Sequence, residues 1–206
     1  MDKLTIEREY SEKGYAYVAG VDEVGRGPLA GPVVCAAVIL PLADEEALAG
    51  INDSKKLSAK KRELLAEKIK RVALSYQICE VDEKVIDSVN ILQATRLCMK
   101  RAVEGLSLRP DFVLTDGNMT LDIGIPQKSI IKGDQAVCSI GAASILAKVY
   151  RDALMCEYAK QYPWYGFERN AGYGTAQHIQ AIREVGICPI HRKTFITKFW
   201  DGRENS

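Results

Sequence analysis

The chain has 206 residues, 47% of them hydrophobic, enough to bury the core of one domain. Its 28 lysines and arginines stand against 27 aspartates and glutamates, a formal charge of +1. A globally basic surface is thereby excluded, and any attraction to a polyanion has to come from local clusters.

The N-terminus, Met1-Asp2-Lys3-Leu4, opens a charged stretch that lacks the apolar region of a signal peptide. The longest apolar run, residues 33–40, falls well short of the roughly 20 residues that span a bilayer. Six cysteines are scattered with no C-x-x-C pair, several of them in apolar runs where Cys packs as a small hydrophobe. A reduced, cytoplasmic protein with no membrane contact is expected.

Residues 15–22 (YAYVAGVD) read as a strand, broken by Gly25-Arg26-Gly27-Pro28. Residues 33–40 read as a second, buried strand between Pro32 and Pro41. Asn52-Asp53-Ser54 is turn chemistry, and Ser58 can cap a helix to Ala73 whose apolar face is Leu64, Leu65, Ile69 and Val72. A third strand is predicted over 76–81. Asn90 can cap a helix reaching Leu106, with Leu92, Met99, Val103 and Leu106 at steps of seven, four and three. A short strand, 112–115, ends at Asp116-Gly117, and another, 129–131, ends at Lys132-Gly133-Asp134. An Ala-rich helix follows over about 139–162, then a loop from Gly166 to Gly174. Thr175 can cap a last helix to about Val185, and a polar tail follows Phe199. This order predicts one mixed α/β domain over 1–206, its helices packed on the sheet, with a helical C-terminal portion from about residue 175.

Three predicted strands end on acids, Asp22-Glu23, Asp116 and Asp134, each close to a glycine (Gly25, Gly117, Gly133). In open α/β sheets, sites gather where strands stop. Asp22 and Glu23 are neighbours and would point to opposite faces of a regular strand, so they can share a site only if the strand ends there. Clustered carboxylates repel one another and need protons or cations to coexist. Oxygen-only clusters suit Mg²⁺ or Mn²⁺ and not Zn²⁺. Two such ions about 4 Å apart can activate water and stabilise a leaving oxygen in phosphodiester hydrolysis. Any one of these acids alone is an ordinary turn-former or N-cap; the combination points to a metal-dependent nuclease.

Gly25-Arg26-Gly27-Pro28-Leu29-Ala30 matches the dinucleotide-binding pattern G-x-G-x-x-G/A. That pattern needs a helix directly after its glycines to hold pyrophosphate. Here Pro28, Gly31 and Pro32 lead into a strand, and two acids precede the glycines. No dinucleotide site is expected; the glycines let backbone approach a ligand closely.

The segment Val21-Asp22-Glu23-Val24-Gly25-Arg26-Gly27-Pro28-Leu29-Ala30-Gly31 closely resembles the signature of ribonuclease HII, the type 2 ribonuclease H family. The likeness continues at Asp53-Ser54-Lys55-Lys56-Leu57-Ser58, Asp116-Gly117, Lys132-Gly133-Asp134, residues 142–149 (AASILAKV) with Arg151-Asp152, Gly172-Tyr173-Gly174-Thr175 and His191-Arg192. It spans about residues 15 to 195. The resemblance implies a ribonuclease H-like fold with a mixed five-stranded sheet flanked by helices. It also implies endonucleolytic hydrolysis of RNA–DNA hybrids and of duplex DNA holding single ribonucleotides, on the 5′ side of the ribonucleotide, leaving a 3′-hydroxyl and a 5′-phosphate. By that likeness Asp22, Glu23, Asp116 and Asp134 match the catalytic acids that hold two Mg²⁺ or Mn²⁺ ions. The backbone of Gly25, Arg26 and Gly27 would touch the 2′-hydroxyl that distinguishes RNA from DNA. Tyr173 matches a tyrosine that packs on the sugar beyond the junction. One departure is Gln135-Ala136-Val137-Cys138 after Asp134, where a more polar stretch is expected.

Residues 55–71 hold eight lysines and arginines against only Glu63 and Glu67. Lys55 and Lys56, ahead of the helix, are expected to meet phosphate; most of the others read as a solvated face with Glu–Lys pairs. Tyr173, between glycines, suits packing on a sugar better than a core. Lys148 either reaches phosphate or is a surface lysine. His178 and His191 have no neighbouring Cys ligand and are not expected to bind zinc, and Trp164 and Trp200 read as packing residues. A monomer is expected. The competing readings are another metal-dependent nuclease or resolvase of the same fold, which would also cut all-DNA duplexes, and a non-catalytic hybrid-binding protein, which would gain nothing from acids facing phosphate.

Overall fold

The computed structural model describes residues 4–43, 48, 50–51 and 58–200. Its centre is a five-stranded sheet built from β1 (Val18–Val24), β2 (Val33–Ile39), β3 (Ser75–Val81), β4 (Phe112–Asp116) and β5 (Gln127–Ile130), in the order β3-β2-β1-β4-β5. β1, β2 and β3 form an antiparallel meander, while β4 joins β1 and β5 joins β4 in parallel. The fold is α/β, as expected.

β2 is buried along its whole length because both its faces are covered, which is why it reads as an unbroken apolar run. Val33, Cys35, Ala37 and Ile39 face helix α4 (Ile91–Glu104), packing with Ala94, Cys98, Met99 and Ala102. Val34, Ala36 and Val38 face α2 (Ala59–Val72) and the 24-residue α6 (Cys138–Gln161). The expected caps are present: Ser58, Asn90 and Thr175 each accept a hydrogen bond from a backbone N–H in the first turn of α2, α4 and α8 (Ala176–Val185). The face of α2 differs from the expectation. Ala66 and Ile69 are buried with Leu65 and Val72 beside them, whereas Leu64 is 64% exposed. Trp164, expected to pack, is also largely exposed.

Two helices are not among the predicted elements. α1 (Thr5–Glu12) is a polar helix held by tertiary contacts: Leu4 and Tyr10 are buried, and Glu7 accepts hydrogen bonds from the N–H and hydroxyl of Ser139, 2.8 and 2.9 Å. A carboxylate is thereby set at the N-terminus of α6, where the helix dipole favours it. The short α3 (Glu83–Val89) is capped by Asp82. α6 crosses β1 very closely at Gly20, where an added Cβ would lie 2.3 Å from backbone atoms of Ser139 and Ile140. The far end of α6 packs with α7 (Phe167–Asn170), α8 and α9 (Lys193–Ile196) in a separate apolar cluster around Met155, Tyr165, Phe167 and Ile182. The expected loop over 166–174 therefore contains the one-turn helix α7. No helix among the described residues is long and apolar enough to cross a membrane.

Candidate active site

β1 runs on through Asp22 and Glu23 to Val24, with Asp22 opposite Ala36 and Glu23 opposite Cys35 on β2. The strand therefore does not stop at the acids as the sequence suggested. What stops is the parallel ladder with β4, whose last paired residues are Val21 and Thr115. Beyond that point β1 has a neighbour on one side only, and Asp116 sits at the matching end of β4. Side chains from both faces of β1 reach this open notch. Asp22, Glu23, Val24, Arg62, Asp116, Ser144, Lys148 and Tyr173 line one cleft of about 440 Å³. Arg62 and Lys148 also line a second groove, of about 570 Å³, alongside α2, α6 and α7.

The acids are held from behind. Asp22 is buried; its carboxylate accepts the Glu23 N–H at 2.8 Å and a hydrogen bond from the Ser144 hydroxyl. Asp116 accepts the Gly133 N–H at 2.6 Å. Burial, then the nearby Glu23 and Asp116, push the Asp22 carboxyl well above the usual carboxylate range. Burial and Asp116 also raise Glu23, against the pull of Arg26, whose guanidinium is 3.4 Å away. One Glu23 oxygen, Oε2, is buried with no hydrogen-bond partner among the described residues. The acids line the cleft without closing into a ready-made cage: among the described residues no three His, Cys, Asp or Glu side chains stand together as a metal-binding group.

Asp134 is not among the residues that line the cleft. β5 ends at Ile130, earlier than expected, and Lys132 takes a left-handed conformation (φ 57°) that turns the chain into the one-turn helix α5 (Gly133–Ala136). Asp134 is buried in that turn, next to the Gly133 that holds Asp116. Lys148 lines the cleft and pairs with Asp152 at 2.7 Å. Lys55 and Lys56 fall outside the described residues.

Gly25 and Gly31 both have φ above +80°, and a side chain at either would strike α6: Gly25 meets Arg151 at 2.3 Å and Gly31 meets Met155 at 2.6 Å. Arg26 and Gly27 are exposed. Tyr173 stands beside them, its ring 3.5 Å from where a Cβ on Gly27 would lie. The Tyr173 carbonyl is tied to a buried chain: His178 Nδ1 lies 2.9 Å from it, His178 Nε2 lies 3.0 Å from His191 Nε2, and the Cys188 N–H donates to His191 Nδ1 at 2.9 Å. A carbonyl only accepts, so His178 carries its proton on Nδ1 and His191 carries its own on Nε2, both rings neutral. Contrary to the sequence reading, His191 does have a cysteine neighbour, with Cys188 Sγ 3.1 Å from Nδ1. The sequence reading assigned no roles to Ser144, Arg151 and Arg192, whose partners are distant in the chain, and it missed the pairing of the two histidines and the place of Arg62 in the cleft.

A family model described as Ribonuclease HII matches residues 19–198, nearly the whole described chain. The chain belongs to the ribonuclease HII family. Among curated members of that family, the protein from Chlorobium chlorochromatii is 59% identical over 185 residues, covering 88% of this chain and 90% of its own. That from Endomicrobium trichonymphae is 54% identical over 193 residues, covering 93% and 91%. The crystal structure of ribonuclease H2 from Pyrococcus horikoshii superposes with a TM-score of 0.76 at 27% identity, over 90% of this chain and 97% of that one. As a ribonuclease HII, the protein is an endonucleolytic hydrolase of RNA–DNA hybrids.

Proposed function

We propose that the protein hydrolyses the phosphodiester on the 5′ side of ribonucleotides, both in RNA–DNA hybrids and at single ribonucleotides embedded in duplex DNA. It would leave a 3′-hydroxyl and a 5′-phosphate and so serve ribonucleotide removal. The observation that carries this reading is the notch at the open end of β1, where Asp22, Glu23 and Asp116 line one cleft beside the glycine loop and Tyr173.

The donor set fits divalent cations. It is all oxygen, Glu23 and Asp116 raise the proton affinity of Asp22 as Asp116 does that of Glu23, and Glu23 Oε2 is buried without a hydrogen-bond partner among the described residues. Repulsion keeps such acids apart until a cation draws them together. Asp22, Glu23 and Asp116, with Asp134 beside them on α5, would hold two Mg²⁺ or Mn²⁺ ions. Bound there, such ions lower the pKa of water and neutralise charge on the phosphate.

The chain's own residues do the positioning. Ser144 fixes the Asp22 carboxylate and the Gly133 amide fixes that of Asp116. Arg62 and Lys148 put positive charge on the wall that meets the substrate backbone, and Lys55 and Lys56 add phosphate contacts. The loop of Gly25, Arg26 and Gly27 contacts the ribose 2′-hydroxyl, and the Tyr173 ring packs on the next sugar. In this reading the enzyme works as a monomer in the cytoplasm with its six cysteines free.

Incubation with an end-labelled DNA duplex carrying one ribonucleotide, with Mn²⁺ or Mg²⁺ and then with chelator, tests this. Metal-dependent incision 5′ of the ribonucleotide is expected, with none on the matched all-DNA duplex. No incision with either ion would sink the reading, and equal cutting of all-DNA would reassign the substrate.

A further inference from the structure

Two arginines are buried beneath the glycine loop, Arg151 1% exposed and Arg192 fully enclosed. Among the described residues neither forms an ion pair with a carboxylate; both are hydrogen-bonded to backbone carbonyls. Arg151 donates to Ala30, Pro32 and Ala171, at 3.1, 3.0 and 2.9 Å. Arg192 donates to Gly25 at 2.6 Å, Arg26 at 2.9 Å and, from two nitrogens, Gly31 at 2.9 and 2.7 Å. Burying a guanidinium is costly unless its donors are satisfied. Arg192 is driven down to about 9 by burial and by Arg151 nearby.

The peptide planes connect this clamp to the surface. Among the described residues no peptide bond is cis, and in a trans peptide the C=O of one residue and the N–H of the next point in opposite directions. The Gly25 carbonyl turned in toward Arg192 therefore turns the Arg26 N–H away from it, and the Arg26 carbonyl does the same for the Gly27 N–H. Those donors lie on the exposed stretch beside the Tyr173 ring.

The glycines give an independent sign of the same design. A Cβ on Gly25 would occupy the place of the Arg151 side chain, and one on Gly172 would lie 2.5 Å from the Ala30 carbonyl oxygen, itself an acceptor from Arg151. Only a planar fork of several N–H groups can serve diverging carbonyls at once; a lysine ammonium keeps the charge without that geometry.

We infer that Arg151 and Arg192 are positioning residues for ribose recognition: by gripping the loop's carbonyls from beneath, they aim the Arg26 and Gly27 amides at the substrate. This rests on the reading of the loop as the 2′-hydroxyl contact. The test compares wild type, Arg192→Lys, Arg151→Lys and Tyr165→Phe. The last removes a buried hydrogen bond from the same C-terminal cluster, Tyr165 to the Gly186 carbonyl at 3.0 Å, without touching the loop.

For each variant, thermal melting is measured, together with kcat and KM on a duplex with one ribonucleotide and binding to the all-DNA duplex. Each lysine variant is expected to raise KM about tenfold, the effect of one or two misaimed hydrogen bonds. Little change is expected in kcat or in binding to all-DNA. Tyr165→Phe should melt lower yet keep its KM. A folded lysine variant with wild-type KM overturns the proposal. So does an equal rise in Tyr165→Phe, or failure of both lysine variants to fold, since the arginines would then be structural only. A wild type that fails to prefer the ribonucleotide duplex refutes the loop reading itself.

Discussion

Two ends of the same cleft treat buried charge in opposite ways. At the notch of β1, Asp22, Glu23 and Asp116 line one cleft, and one Glu23 oxygen is buried without a hydrogen-bond partner among the described residues. Beneath the glycine loop, Arg151 and Arg192 are both buried, but their donors meet carbonyls of the loop and its surroundings. The cationic cluster is complete within the chain; the acidic cluster is not. A region whose polar groups are satisfied internally rigidifies the fold, while one left short of partners raises the free energy of the free protein and is completed by what it binds.

Asp22→Asn should break the comparison most strongly. Cleavage is expected to fall about a thousandfold or more, since on the proposed function Asp22 is one of the carboxylates that would hold the cations. Stability should move the other way. With its pKa raised above the ordinary value, ionised Asp22 destabilises the native state as pH climbs past the unfolded value, so the amide should raise the metal-free melting temperature at neutral pH. A lower melting temperature in chelator would mean that the acids are not mutually strained.

Arg192→Ala probes the other cluster and should cost roughly 3 kcal/mol or more, because it strands the carbonyls of Gly25, Arg26 and Gly31. Denaturant titration reads this directly, and a loss under about 1 kcal/mol would show that water replaces the guanidinium without penalty.

The histidine pair sharpens the contrast with pH. Burial, then His178, lower His191 to about 4, and burial lowers His178. Both rings must stay neutral in the fold. Their contribution is therefore intact above the unfolded value near 6.5 and is lost as pH falls from there toward 4, by about 1–3 kcal/mol. Melting curves across that window should show the loss in wild type and a shallower slope in His191→Gln.

The smallest effect lies outside both clusters. Asn90→Ala should cost about 1 kcal/mol through the lost cap of α4, and Asn90→Gly less, because Asn90 holds φ at 71°. Chemical denaturation separates the two.

The mixed α/β organisation, the caps of α2, α4 and α8 and the convergence of Asp22, Glu23 and Asp116 were legible from periodicity, turn residues and strand-end acids. The misses have physical causes. α1 is largely polar, and Glu7 ties it to Ser139, 132 residues away in the chain. Leu64 and Leu65 are adjacent apolar residues, and only packing decides that Leu65 turns inward. The end of β1 was misjudged because a strand can outlast one of its two neighbours, a property of register rather than composition. The arginine clamp was invisible because Arg192 finds its acceptors 161 to 167 residues earlier in the chain, and carbonyls leave no mark in a sequence.

The close crossing at Gly20 gives the molecule a long lever. Its hydrogen atom is all that separates β1 from the backbone of α6 at Ser139 and Ile140. Ser144, Lys148 and Arg151 ride on that same rigid helix, and at about 1.5 Å per residue Arg151 lies roughly 18 Å farther along. A single methyl group at Gly20 would pry the helix off the sheet at its near end and tilt its far end under the loop. Variation at a silent position in mid-strand would then be felt as a change in which sugar the enzyme prefers.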